Sequence, residues 1–201
     1  MTKKERATFV INTLNELGKS VFVTSPQSIE DIIQDTESLA RQLGTAELAR
    51  DTIESLRKQV RQLDLAGIAL HADKALQSPA KKPIHVLVMA GANDEFVIGR
   101  DRLVNKAIER CGGTNPFANS LLLAPQVSLE SIISSKPDLI VTGYPPSRQI
   151  ASMAEVIVTD PDLLYRPGPR FIQAASQICD ALVRMRSKQF SNGKQEQGQN
   201  Q

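Results

Sequence analysis

With 201 residues, 41% of them apolar, the chain can bury a core and is not a disordered polymer. Its 24 basic and 22 acidic residues nearly balance, and no basic block is interleaved with aromatics, so a dedicated nucleic-acid surface is excluded. No apolar run approaches the length of a membrane span, and the basic start MTKKER passes into a helical pattern rather than the apolar core of a signal peptide.

In chain order, residues 3–17 carry Phe9, Val10, Leu14 and Leu17 at helical spacing, with Thr2 placed to cap the start and Gly18 the end. SVFVT, residues 20–24, reads as a short β-branched strand with no sheet of its own to join. SIEDIIQDTESLARQLG predicts a second helix, with Ser28 as N-cap and Gly44 as its stop. Residues 45–77 follow as one long helix. Leu48, Ile53, Leu56, Val60 and Leu63 mark its apolar stripe, and Gly67 is the one interruption. At 1.5 Å per residue it runs about 45 Å, longer than a small domain is wide, which suits a helix bridging two bodies. Its heptads are too irregular for a coiled coil.

After SPAKKP the rhythm changes. IHVLVMAG is a buried strand, followed by a loop holding Asp94, Glu95 and Phe96. Residues 101–111 predict a helix stopped by Gly112 and Gly113. SLESIISS is a short helix capped by Ser128, PDLIVTG a strand, SRQIASM a short helix, AEVIVTD a strand, and GPRFIQAASQICDALVRMRS the last helix. Apolar strands alternating with helices predict an α/β fold: a three-layer Rossmann-like lobe with a parallel sheet covered on both faces, over residues 82–188. The polar tail 189–201 is expected to be disordered.

Few side chains here could do chemistry. There is no CxxC and no Cys/His cluster, and His71 and His85 lie far apart, so a structural zinc site is not expected. No nucleophile–base constellation appears. The glycine pair that closes GRDRLVNKAIERCGG follows its helix, where it cannot cradle a phosphate, and VMAGAND is too weak a turn for a dinucleotide enzyme. Cys111 and Cys179 are either disulfide partners or two buried thiols of a reduced chain.

The order of elements resembles the substrate-binding proteins that feed ABC importers of vitamin B12 and iron chelates. The resemblance spans residues 3 to about 185 and is carried by CGGTNPFANS…PQVSLESI…PDLIV and by DLLYRPGPRFIQAASQICDAL. The paired cysteines and RPGPR point to the cobalamin branch. That family has two α/β lobes joined by one long helix, with ligand between them. The resemblance therefore implies that residues 1–44 are a remnant of the first lobe, that 45–77 bridge, and that 82–188 are the second lobe. It also implies that most of the first lobe and a signal peptide are missing.

The resemblance further pairs Cys111 with Cys179 and places the protein in the periplasm as a monomer. Phe96 matches an aromatic ligand contact. Asp162 and Arg166 match the acidic and basic contacts to a ligand's polar periphery, whose amides suit both charges. Tyr165 could stack on a flat ligand or coordinate a haem iron, while Arg170 reads as structural. Glu130 matches the glutamate that docks on a membrane permease, although the first turn of a helix suits an acidic residue on its own account. Ala124 departs from the pattern, because cobalamin binders place a large aromatic there. The resemblance implies no cofactor and no enzyme; the cargo is cobalamin or another metal chelate. The alternatives are an iron-siderophore or haem receptor of the same superfamily, or a truncated fragment that binds nothing.

Overall fold

Three apolar runs build the sheet of the computed structural model, which describes residues 3–75, 83–92 and 95–197, and the side chains of residues 8–68, 83–92 and 95–188. Strand β1 is Ile84–Val88, β3 is Leu139–Thr142 and β4 is Glu155–Val158; β2 is the two-residue edge Gly113–Thr114. All pairings are parallel, in the order β2-β1-β3-β4. Parallel strands need crossovers, and helices supply them on both faces. One face of the sheet, through Val86, Val88, Leu139 and Val141, packs under α4 (Arg102–Arg110) and α8 (Phe171–Gln197). The other face, through Leu87 and Ile140, packs on Ile132 of α5 (Leu129–Ser135) and Ile150 of α6 (Arg148–Ala151). The expected three-layer α/β lobe is present.

Ser28 and Ser128 cap the helices that the sequence expects them to cap. Ser28, Asp101, Ser128 and Ser147 each accept a backbone N–H in the first turn of their helix. Gly44 and Gly112 end α2 (Ile29–Gln42) and α4 at φ of 67° and 72°, a conformation costly for any side chain. The expected N-cap Thr2 lies outside the described residues.

The long helix is one uninterrupted element, α3 (Ala46–Ala75). Its buried stripe is Ile53, Leu56, Val60, Leu63 and Gly67, stepping by three and four. Leu48, expected in that stripe, is 84% exposed. Gly67 continues the stripe rather than interrupting it: a Cβ there would run into the carbonyl oxygen of Arg110, so the absent side chain is what lets α3 lie against the end of α4. Helices α2 and α3 share the main core, through Ile29, Ile32, Leu56, Val60 and Leu63.

Arg110 fastens these layers. Its guanidinium donates to Asp64 of α3 and to Glu30 of α2. Partial burial works to raise the Glu30 pKa, but the hydrogen bond and charge of Arg110 outweigh it and hold the carboxyl below its ordinary 4.5. A depressed carboxylate adds stability above its unfolded pKa, and that stability is lost as pH falls through the folded value. Arg110→Ala is expected to cost about 1 kcal/mol at neutral pH, the two acids being largely solvated. It should also flatten the fall of stability below pH 4.5; urea unfolding of both proteins from pH 7 to 3 checks this.

Three further expectations fail. SVFVT is not a strand: residues 19–26 run as irregular chain, and Phe22 and Thr24 pack near α2 and the Pro167–Pro169 turn. β-branched residues favour a strand only where a neighbour offers an edge, and none is offered here. Of the expected tail, residues 189–197 continue α8, and 198–201 lie outside the described residues. The apolar positions of α1 (Lys3–Glu16) and the residue after it are not a buried face, with Phe9 64%, Val10 53% and Leu17 67% exposed. Among the described residues no helix is long and apolar enough to cross a membrane.

Candidate functional site: a pocket at the carboxyl edge of the sheet

Loops leaving the carboxyl ends of parallel strands face the crevice where α/β proteins hold ligands. Here the exits of β1, β3 and β4 converge. The exit of β1 turns back on itself, with Ala90 N–H donating to Phe96 O (2.9 Å) and Ile98 N–H to Val88 O (2.7 Å). It then pairs with the 122–127 segment through Gly99 N–H to Leu123 O (2.8 Å) and Val127 N–H to Glu95 O (2.7 Å). After β4 the short helix α7 (Pro161–Leu164) delivers Tyr165, Arg166 and Pro167.

Between these exits lies a cavity of about 260 Å³. Its lining includes Ala90, Ile98, Asp101, Tyr165 and Pro167, with the buried Leu103, Leu164 and Phe171 as its floor and the exposed Ala124 at its rim. The lining is mostly apolar, suiting a ligand held by contact area and oriented by few polar groups. A larger groove of about 580 Å³ lies between α2 and α4, but Glu30, Lys106, Glu109 and Arg110 line it, and Arg110 is already engaged as a structural tie.

A buried polar lock holds the backbone at Ile98 and Gly99, beside the pocket. Asn115 Nδ2 donates to Ile98 O (3.0 Å) and to Asn105 Oδ1 (2.8 Å), and Asn105 Nδ2 donates to Gly99 O (2.9 Å). Asn115 Oδ1 accepts from Phe117 N–H (2.9 Å). Asn105, 9% exposed, lies in α4, and Asn115, 4% exposed, lies in the GGTNPFANS stretch that follows it. Buried amides of this kind hold a loop only when fully partnered, as here.

The candidate residues fall unevenly around this pocket. Tyr165 lines it. Asp162 and Arg166 are brought beside Tyr165 by α7, and they pair with each other: Arg166 Nε lies 2.9 Å from Asp162 Oδ1, with side chains 71% and 43% exposed. Arg170 approaches the other Asp162 oxygen at 3.8 Å. Phe96 is half-buried in the β1 exit, bridged to Gln126, and belongs to neither core cluster. Asn93 and Asp94 in the same loop lie outside the described residues. Glu130 is exposed on α5, its carboxylate held below the ordinary range first by its own backbone N–H and then by the Ser128 hydroxyl.

Cys111 and Cys179 form a disulfide, tying the C-cap of α4 to α8 with Cα atoms 5.1 Å apart. His85 Nδ1 lies 3.0 Å from Ser135 O at the opposite edge of the sheet; the side chain of His71 lies outside the described ones. Among the described residues no three His, Cys, Asp or Glu side chains gather as a metal site.

Sequence reasoning missed Tyr144, Phe171 and the Asn105–Asn115 pair. The signal for Tyr144 was available, since TGY leaves a buried strand on its carboxyl side.

The chain is 30% identical over 180 residues to the vitamin B12-binding protein of Photorhabdus laumondii, matching 86% of this chain and 62% of that protein. The chain is homologous to the vitamin B12-binding proteins. A Yersinia pestis vitamin B12-binding protein is 28% identical over 182 residues, 86% of this chain and 61% of its own length. The chain thus spans about three-fifths of the relatives it matches, and those relatives are named as binding proteins rather than enzymes. No family model matches it.

Among solved structures, the periplasmic vitamin B12 binding protein BtuF of Vibrio cholerae superimposes with a TM-score of 0.68 at 19% identity, over 90% of this chain and 71% of that one. The periplasmic haem-binding protein RhuT of Roseiflexus gives 0.62 at 21% identity, over 86% and 70%. The lobe has the fold of these binding proteins.

Proposed function

We propose that this chain is the ligand-binding component of an ABC importer. It holds cobalamin or a related corrinoid against the carboxyl edge of its sheet and delivers it to a membrane permease. The observation that carries the reading is the coincidence of two facts. The homology to vitamin B12-binding proteins covers 86% of the chain, and an apolar pocket lies where a parallel sheet presents its ligand. In this reading α3 is the bridge on which a second body closes over the ligand. Phe96 and Tyr165 supply apolar contact, and the Asp162–Arg166 pair opens to meet amides at the ligand margin. Glu130 is the permease-docking charge, the receptor is monomeric and periplasmic, and the cargo is the only group bound. An oxidising compartment suits the buried disulfide.

A second reading, a haem or iron-chelate receptor, is favoured by one observation: Ala124 at the pocket rim offers no aromatic face. One panel decides between them. Unfolding temperatures of the oxidised protein are measured with cyanocobalamin, hemin and a ferric hydroxamate. A ligand at 100 times its Kd raises the unfolding free energy by about 2.7 kcal/mol. For this size that is a shift of roughly 5–10 °C. The expected result is the largest shift with cyanocobalamin, reduced in Arg166→Ala. A larger shift with hemin or the hydroxamate establishes the second reading; no shift with any of the three sinks both.

A further inference from the structure

The chain contains no Trp and two Tyr; one lines this pocket and the other stacks against it. Tyr165 lines the cavity, and Tyr144 stacks on it with ring centroids 6.2 Å apart and planes inclined by 17°. Three further contacts leave this pair little freedom. The backbone N–H of Gly143 donates to the Tyr165 hydroxyl at 2.9 Å. Gly143 itself has no room for a side chain, since a Cβ there would lie 2.6 Å from Tyr165 Cε2 and 3.0 Å from Pro161 Cα. Thr142, 1% exposed, grips the backbone of Tyr144 twice, its Oγ1 donating to Tyr144 O (2.8 Å) and accepting from Tyr144 N–H (3.1 Å).

We infer that Thr142, Gly143 and Tyr144, at the exit of β3, are the positioning device for Tyr165. They fix it as a ring contact of the ligand pocket and commit its phenolic oxygen to the Gly143 amide rather than to a metal. The inference rests on the proposed ligand-binding role and deepens it. The class of ligand it names is a flat, conjugated macrocycle recognised by its face. An iron centre claimed by this oxygen would have to share it with the Gly143 amide, whose hydrogen bond draws electron density away from it. Tyr144 is a positioning residue in this account. It acts through Tyr165, and an aromatic ring at 144 is what matters, because stacked rings attract beyond the area they bury.

The test uses the oxidised full chain with 13C-labelled tyrosine, whose two sets of ring signals are assigned by Tyr144→Phe and Tyr165→Phe. Cyanocobalamin, which is diamagnetic, is the first probe. Ring-current shifts are expected on the Tyr165 signals, with dissociation constants raised about three- to tenfold by Tyr144→Ala and Gly143→Ala. Tyr144→Phe should restore the value of the unmodified chain. Hemin is the second probe, and its bound absorption spectrum should be the same in Tyr165→Phe. Unfolding temperatures of all variants separate a loss of fold from a loss of ring placement. Loss of the bound-hemin spectrum in Tyr165→Phe overturns the inference, and so does tight cobalamin binding that Tyr144→Ala leaves unchanged. Failure of the unmodified chain to bind either probe overturns the ligand-binding role and this inference with it.

Discussion

Replacing Cys111 and Cys179 together by Ala is expected to lower the unfolding free energy by about 2–4 kcal/mol, or the unfolding temperature by roughly 5–15 °C. The bond spans 68 positions of sequence, a long loop whose closure restricts the unfolded chain. It also joins two elements that the sheet holds only indirectly. Cys111 is the residue at which α4 ends, and Cys179 lies in the first third of α8, each 1% exposed. Such burial means that a mild reductant reaches the sulfurs only through an opening of the fold, so reduction is expected to be slow in buffer and fast in intermediate urea. Calorimetry of the oxidised protein, the reduced protein and the double variant checks this. An unfolding temperature that neither reduction nor substitution moves would mean that the two thiols contribute as packed side chains alone.

Phe171→Ala is expected to cost about 3–5 kcal/mol, the range for truncating a buried aromatic. Phe171 is 1% exposed, begins α8, and is held by its N–H to Gly168 O at 2.9 Å. With Leu103 and Leu164 it belongs to both the main core and the floor of the pocket. Its loss should therefore be read twice, as a lower urea midpoint and as weaker ligand binding, whereas Phe171→Leu, which keeps most of the volume, should retain more of both. Wild-type affinity in a destabilised Phe171→Ala protein would show that ligand does not rest on this floor.

The sheet was legible because β1, β3 and β4 are apolar runs bounded by turn residues, a pattern that local sequence carries. β2 was not. Gly113 and Thr114 pair with Ile84 and His85 only because α4 returns the chain to that edge, and two residues hold no periodicity. SVFVT misled for the converse reason: its β-branched residues advertise a strand, but pairing is decided by what lies beside it. In α3 the apolar pattern was right from Ile53 to Leu63 and misleading at Leu48 and Gly67. Leu48 looks like a core residue until the absence of a neighbour is known, and Gly67 looks like a flaw until Arg110 is found against it.

The site shows the same division. Tyr165, Asp162 and Arg166 lie within one turn of α7 and could be singled out together. The partnership of Tyr165 with Gly143 and Tyr144 is long-range, set by the β3–β4 pairing that brings the two exits side by side.

The central claim is that the carboxyl edge of this sheet is a ligand-binding surface. Hydrogen–deuterium exchange of the oxidised protein, with and without cyanocobalamin, tests it most directly. The account predicts slowed exchange in residues 88–92, 97–101, 122–126 and 161–171, with the outer turns of α3 unchanged. Protection confined to the groove between α2 and α4, or no protection at any concentration of ligand, would contradict it.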